Sequence, residues 1–438
     1  MTAGAKMDMA TISLPVVREH DPSRDARYDI SAQSGVVEPV DKVFFSKLAS
    51  GVIDADRCIQ CASCILVCPS KSIAVAMDER PTLVKMCTGC SLCWDFCPRG
   101  GLRTETLWDV PREGEAHPVP PGQPGLADVK GMYTAQTKSR IGGEQDGGVA
   151  TAIVRSLFEK GEIDAAIVAR RNPHNQLKGE AFLAKSVEDL KQCTGSFFNQ
   201  TLPLSLLKDI VTGGGVNGIT KDSRLAFVGT PCEVAGIDAV QRFPWKYSGD
   251  GGLKLVKYSI ALMCTRNFDY ARSVAALKAR GIDLSKAKRM DVTENIMRLY
   301  DENDKVIFED NVVKVLKGAS LKGCDECADF TGRMADITVG AIGSEPRHSS
   351  VLVRTAAGEK AWKLSQDAVI SRPMDKPELI EKVDAKNTIR AQKALKRKFD
   401  PNLSVRVPYS EHLSSYEGSD RAPVKAQPFR IHHYETKC

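Results

Sequence analysis

Two runs of cysteine share one spacing: Cys58-x2-Cys61-x2-Cys64-x3-Cys68-Pro69 and Cys87-x2-Cys90-x2-Cys93-x3-Cys97-Pro98. Three thiolates two residues apart can take three corners of an iron–sulfur cubane. The fourth cysteine of each run is carried away by the chain to the other cluster, and the proline ends the turn. One cluster is therefore assigned Cys58, Cys61, Cys64 and Cys97, the other Cys87, Cys90, Cys93 and Cys68. Structural zinc usually draws on two separated pairs, not four closely spaced cysteines repeated twice. Such clusters carry single electrons, so they supply a wire and not a reaction.

The stretch resembles bacterial two-cluster ferredoxins along its whole length. Of 14 cysteines, six lie outside it: 193, 232, 264, 324, 327 and 438. Cys232 and Cys264 are expected to end strands, in RLAFVGTPC and KYSIALMC. Cys324 and Cys327 form KGCDECADF, just before ADITVG. Ligands from strand ends converge at one edge of an open α/β sheet. From spacing alone, a third metal centre and a set of small core residues both remain open.

The chain that must position these groups has 438 residues, 42% hydrophobic and 26% charged. That excludes collagen-like, coiled-coil and wholly disordered classes. Net charge is +6, too mild over this length for a nucleic-acid partner. No apolar run approaches a membrane span, and Lys6 and Asp8 interrupt any signal peptide, so a cytoplasmic protein is expected. Dense cysteine in a reducing compartment points to ligation rather than disulfides.

The expected organisation is an N-terminal arm (1–45), the two-cluster domain (46–104), a Pro/Gly-rich linker (105–133), a main domain (134–400) and a C-terminal tail (401–438). Within the main domain, 149–161 reads as a helix capped by Gly161, and 163–169, 224–232, 257–264 and 335–343 as strands. Helices are expected near 202–211, 233–242 and 269–280, and residues 356–399 look helical. Strands alternating with helices argue an α/β domain with a mixed or mostly parallel sheet.

EQDGGVATAIVRSLFEKGEIDAAIV, CTGSFF, RLAFVGTPCEVAGI, CTRNFDY, LKGCDECADFTGRMADITVGAIGS and SSVLVRT occur in that order. Together they closely resemble the beta-subunit family of coenzyme F420-dependent hydrogenases and dehydrogenases, over roughly residues 140–400. The coenzyme is an 8-hydroxy-5-deazaflavin. The resemblance implies a mixed-sheet α/β flavoprotein domain that binds FAD and one [4Fe–4S] cluster, with Cys232, Cys264, Cys324 and Cys327 as ligands. It also implies that the FAD site involves Gln145, Asp146, Gly147, Gly148, Thr151, Thr194, Gly195, Ser196, Thr230, Pro231, Lys314, Gly340 and Gly343. Separately, Gly147-Gly148 opening a helix can turn bare N–H groups toward a pyrophosphate, although any one glycine can equally be a turn or cap. Two positions depart from the family. Arg347-His348 replaces a frequent Gly-Trp pair, and Cys264-Thr265-Arg266-Asn267 lacks a frequent acidic residue.

The function implied is hydride exchange between F420, as substrate, and FAD, then single-electron transfer through three [4Fe–4S] clusters. The redox partner would be a ferredoxin or a larger hydrogenase, formate dehydrogenase or respiratory complex, with any membrane association peripheral and through that complex. Alternatives are a flavin/iron–sulfur reductase of another organic substrate and a non-catalytic relay subunit. No side chain is assigned as a general acid or base, since the cofactors carry the chemistry. Gly213–Gly218 fits G-x-G-x-x-G but follows a helix and precedes a strand, so it reads as a surface connection. Lys393, Lys396, Arg397 and Lys398 read as a solvated helix face or, less simply, as a docking site for an acidic segment. Cys193, Cys438 and His432-His433 receive no role.

Overall fold

Buried runs such as Leu225–Gly229 and Val256–Leu262, bounded by turn formers, are what a two-sided parallel sheet requires. In the computed structural model, which describes residues 44–90, 92–100, 126, 128–212, 214–242 and 254–394, they lie at the centre of an eight-stranded mixed sheet. The two-cluster region contributes α1 (Phe45–Leu48), α2 (Ser63–Leu66), the hairpin β1 (Ile73–Val75) and β2 (Pro81–Leu83), and α3 (Leu92–Asp95). The main domain follows with β3 (Gly131–Thr137), α4 (Val149–Glu159), β4 (Ala165–Asn172), β5 (Asn175–Ala184), α5 (Leu204–Thr212), β6 (Leu225–Gly229), α6 (Pro231–Arg242), β7 (Val256–Leu262) and α7 (Tyr270–Lys278). Next come β8 (Arg289–Thr293), β9 (Ile296–Tyr300), β10 (Val306–Asn311), α8 (Val312–Leu316), β11 (Ile337–Gly340), β12 (Ser349–Val353), α9 (Ala356–Leu364), β13 (Val369–Pro373) and α10 (Pro377–Ala394).

The strand order is β13-β3-β12-β11-β7-β6-β4-β5, with β4, β6, β7 and β11 mutually parallel. β12 runs against β11 and β3 against β12, so the loop after β3, the turns after β6 and β7, and the loop before β12 all gather at one edge. That edge is where an open α/β sheet keeps its ligands.

Alternation along the central strands sorts two cores. Ala226 of β6 joins Val149, Ile153 and Leu157 of α4 and Trp362 of α9 on one face. Leu225 and Phe227 join Leu204 and Leu207 of α5, Val234 and Ile237 of α6, and also Leu48, Leu66, Leu92 and Trp94 of the two-cluster region on the other. The two-cluster region is thus part of the layer covering the sheet, sharing its core. A third core, under β8–β10, holds Phe268, Leu277, Met297, Leu299 and Val315.

Several expectations change here. Neither Cys232 nor Cys264 ends a strand: β6 stops at Gly229 with Cys232 in the first turn of α6, and β7 stops at Leu262, two residues before Cys264. The stretch 356–399 is not one helix: β13 interrupts it and pairs with β3. Strands β3, β5, β8, β9, β10 and β12 add to those expected. Gly214, Gly215 and Gly218 have positive φ in a turn bridged by Val216 and Ile219, a surface connection. Nearly all of the arm, most of the linker, the tail, Cys438, His432-His433, Lys396, Arg397 and Lys398 lie outside the described residues.

Candidate functional site

The structure gathers Cys58, Cys61, Cys64 and Cys97 around one cavity, walled by Leu48, Val52 and Ile59 among others. Cys68, Cys87, Cys90 and Cys93 line a second, with Ser72, Ile73 and Leu83. Each cage thus draws three thiols from one run and its fourth from the other. Left-handed backbone at Gln60, Ala62 and Gly89 curls the loops. It turns amide groups toward sulfur: Gln60 N donates to Cys58 Sγ (3.4 Å), Gly89 N to Cys87 Sγ (3.4 Å) and Ser72 N to Cys68 Sγ (3.3 Å). Such bonds favour electron-rich sulfur and help set a cluster's potential.

The thirteen described cysteines form no disulfide. Among the described residues, no three His, Cys, Asp or Glu side chains close tightly enough to hold a single ion. All-sulfur donor sets around open cavities fit a multi-iron cluster better than one zinc. Burial pushes the Cys58 thiol up to about 12 and Cys61 up to about 11, so thiolates here need cationic charge to balance them.

The third set sits at the sheet edge. Cys264 has Cys324 and Cys327 as electrostatic neighbours, and Cys232 has Cys327. Burial raises both thiols well above the ordinary value. Cys232 is held by the turn that starts α6, where Glu233 Oε2 accepts from Thr230 N (2.7 Å) as in a capping box. Thr230 Oγ1 lies 3.2 Å from Cys232 Sγ, and Gln200 Nε2 donates to the same sulfur at 3.5 Å. Cys61 of the first cage packs with Cys324 and Cys232 in one small apolar cluster with Ile59 and Leu321. The third set and the first cage are therefore direct neighbours.

Several residues around the cages carried no signal in the sequence. Arg390 of α10 donates to the carbonyls of Thr265 (2.6 Å) and Cys324 (3.2 Å). Arg266, singled out as a departure, donates to Asp325 Oδ1 and Ser320 Oγ, both at 3.2 Å, tying the Cys264 loop to the Cys324 loop. Lys208, buried on α5, donates to the Ile65 carbonyl at 2.8 Å, beside Cys64 and Cys68. Arg57 pairs with Glu326, and Arg99 Nε donates to Gly323 O at 2.8 Å.

The residues that the resemblance assigns to FAD fall into groups. Gln145, Asp146, Gly147 and Gly148 form the turn into α4. Gly147 is pressed against β3 and β12: a Cβ there would meet Ala135 O at 2.4 Å and Ser349 N at 2.6 Å. Gly148 has φ +66, and no side chain caps the helix, leaving first-turn N–H groups for an anion. Thr151 lies on the first turn of α4, half-buried. Thr194 and Gly195 pack on this loop through Gly143, and Ser196 follows, exposed. Gln145 Nε2 donates to Asp291 Oδ1 at 2.5 Å, tying the loop to β8. Burial and the Asp291 carboxylate raise Asp146 to about 6.

Thr230, Pro231 and Gly340 lie along the parallel edge, Gly340 against Met263. Gly343 packs on Ile380 and Met374, facing α10. Lys314 stands apart: it is exposed on α8 and pairs with Asp310 at 3.3 Å. Arg347 is exposed with φ +67, and His348 Nδ1 lies 3.4 Å from a Glu345 carboxylate oxygen. Cys193 donates to the Asp189 carbonyl at 3.4 Å and packs against the α4 core.

Fold and cages define a class: an iron–sulfur domain docked on a mixed-sheet α/β domain. Residues 132–208 and 222–376 match the N-terminal and C-terminal models of the coenzyme F420 hydrogenase/dehydrogenase beta subunit, and residues 51–103 match the 4Fe-4S dicluster domain. An uncharacterized protein of Methanocaldococcus jannaschii is 30% identical over 73% of this chain and 89% of its own length. The chain belongs to the coenzyme F420 hydrogenase/dehydrogenase beta-subunit family and carries a 4Fe-4S dicluster domain. It is also 30% identical, over 84% of its length, to the coenzyme F420-dependent sulfite reductase of the same organism, spanning about half of that longer protein (54%). In fold it resembles a chain of the F420-reducing [NiFe] hydrogenase complex from Methanosarcina barkeri, with a TM-score of 0.57 and 23% identity over 66% of this chain and 99% of that one. Among the described residues no helix is long and apolar enough to cross a membrane.

Proposed function

We propose that the chain is an F420-dependent oxidoreductase subunit that uses FAD and three [4Fe–4S] clusters to join hydride chemistry to single-electron transfer. Bound FAD would supply the exchange, taking a hydride from the reduced deazaflavin and releasing electrons one at a time, or the reverse. The observation that carries this reading is the contact of Cys61 with Cys232 and Cys324, at the sheet edge where the Gln145–Gly148 turn also lies. It makes one path from that edge, through the third set and the first cage, to the second cage.

Each part of the chain has a stated task in this reading. The turn at Gly147-Gly148 brings backbone N–H groups to a pyrophosphate. Cys232, Cys264, Cys324 and Cys327 would hold the third cluster, and Arg390 and Arg266 place positive charge around it, favouring its reduced state. Cys58, Cys61, Cys64 and Cys97, then Cys68, Cys87, Cys90 and Cys93, carry electrons outward to a protein partner or larger complex. No side chain is needed as a proton relay.

The test is anaerobic titration of the purified chain with reduced deazaflavin, with NADH and NADPH as controls. Bleaching of one FAD per chain by the deazaflavin, with about 12 iron per chain, is the expected result. Saturation near eight iron would remove the third cluster. Bleaching by NADH alone would move the protein to another substrate.

A further inference from the structure

Beside the second cage, Phe44, Leu83, Val84 and Met86 are all exposed, Met86 at 89% of full exposure. The last three lead from the hairpin into Cys87. Leu83 is itself a wall of the second cavity, and the Ser72 hydroxyl holds Met86 O at 2.9 Å beside it. The Phe44 ring lies on Gly89, between Cys87 and Cys90, where a Cβ would come within 2.6 Å of it. Among the described residues, Leu48, Val52, Ile53 and Ile59 around the first cage are buried.

Among the described residues, the charges around this patch are mainly positive. Lys85 stands exposed between Val84 and Met86, Lys47 is exposed one turn after Phe44, and Lys71 is exposed in the loop after Cys68. The acids of the same region are largely engaged: Asp56 holds Arg80, Arg272 and Lys322, and Glu79 holds Lys178. Asp54 and Asp78 are the exposed ones, Asp78 at the hairpin tip 3.9 Å from Arg80. An apolar centre with a charged rim is the anatomy of a protein interface, and a patch of this kind on a soluble domain marks a contact.

Resting on the electron path argued above, we infer that this face is the docking surface for an acidic one-electron carrier protein. The lysine rim steers the carrier and the apolar centre brings its redox group against the second cage. One electron leaves the reduced cluster there and is gained by the oxidised carrier. No proton or group moves, and the reduced deazaflavin is the ultimate donor. The position over the second cage, rather than the basic rim alone, favours a carrier over an anionic lipid surface.

The experiment uses the full chain, purified anaerobically, and an oxidised two-cluster ferredoxin of net negative charge as the probe. Binding is measured by calorimetry at low and high salt, and transfer by stopped flow, for wild type, Lys85→Glu and the pair Val84→Ser/Met86→Ser. Charge reversal at Lys85 should weaken binding about tenfold at low salt, with the difference shrinking as salt rises. The apolar pair should weaken binding at every salt. All three should be bleached equally by reduced deazaflavin and should reduce a small viologen dye equally. Equal ferredoxin binding and transfer by all three would overturn the docking surface. So would a wild type that ignores ferredoxin but binds phosphatidylglycerol vesicles, or one that covers the patch by self-association in sedimentation. Patch-dependent binding without deazaflavin bleaching would instead refute the proposed function and leave the surface standing.

Discussion

Arg57 and Glu326, 269 positions apart, form a two-pronged ion pair with Nε–Oε1 2.9 Å and Nη2–Oε2 3.1 Å, buried on both sides. Arg57 precedes Cys58 of the first cage and Glu326 precedes Cys327 of the third set. The same guanidinium donates to Gly51 O at 2.7 Å and Arg99 O at 3.0 Å, so its donors are well satisfied. A Cβ on Gly323 would meet Arg57 O at 2.1 Å, so the two backbones touch. The pair fixes how the cages face each other.

Removing one partner leaves the other buried and unpaired, which costs about 3–5 kcal/mol. Glu326→Ala should therefore lower the thermal midpoint of the cluster-loaded protein by many degrees. Arg57→Met combined with Glu326→Leu should recover much of it, because apolar replacements of similar size avoid the unpaired charge. Thermal unfolding followed by circular dichroism, with iron content on the same samples, checks this. A double variant no better than Glu326→Ala would show that the pair's other hydrogen bonds, rather than charge, hold the junction.

Asp146 gives a pH dependence with a definite sign. Burial and the Asp291 carboxylate raise it from 3.8 to about 6, so the folded chain holds its proton more tightly than the unfolded chain. The resulting contribution to stability is fully present below 3.8 and is lost as pH rises through about 6. Asp146→Asn keeps the shape and removes the titration. Between about pH 3.8 and about pH 6, wild type should lose stability relative to Asp146→Asn and then run parallel to it. Thermal midpoints of the two proteins across that window decide it. Curves that stay parallel throughout would mean that the carboxyl is not perturbed.

The elements legible in the sequence were those whose signal is local. The cysteine spacing depends only on the loops that wrap a cubane, and β6, β7 and β11 are buried on both faces and so read as continuous apolar runs. β13 carries no strand signal because it is a short strand with Ile370 and Arg372 exposed, which blends into the helices on either side. β8 and β10 are half-exposed strands over a small core and lack a strong period, and β9 alternates in burial without a matching alternation of residue type. Arg390, Lys208 and Glu326 had no local signal at all. Each is an ordinary charged residue whose role comes from what the fold places opposite it. Lys314 shows the converse, a residue that the resemblance assigns to FAD and whose side chain is exposed and paired with Asp310.

Lys208 provides a test by potential. Its ammonium is buried, donates to Ile65 O at 2.8 Å, and faces Cys64 and Cys68, which belong to different cages. A buried positive charge favours the more negative, reduced state of a cluster. Lys208→Met retains much of the apolar stem and removes the charge, so it should lower the potential of at least one of the two ferredoxin-type clusters. Redox titration followed by electron paramagnetic resonance reads this directly, with iron content showing that both clusters remain. Unchanged potentials in a fully loaded variant would limit the lysine to anchoring the Ile65 carbonyl.

The proposed electron path is tested by breaking it at the third cysteine set. Cys264 lies just beyond β7, with Cys324 and Cys327 as neighbours, while the first cage meets the same set through Cys61. If the third cluster links the flavin edge to that cage, losing it should divide the reaction into two halves. Cys264→Ala removes one of its four thiols and leaves all eight N-terminal ligands in place. It is a cleaner choice than Cys324 or Cys327, whose loop also carries the Glu326 junction. Iron should fall from about 12 to about eight per chain while FAD is retained. Reduced deazaflavin should still bleach the flavin at the wild-type rate, because that step needs only the two organic rings in contact. Reduction of the remaining clusters should become much slower, since the relay between flavin and first cage is gone. The comparison counts only for samples shown to hold a full complement of FAD. Rapid cluster reduction in such a sample would mean that electrons reach the first cage by a route that bypasses Cys264.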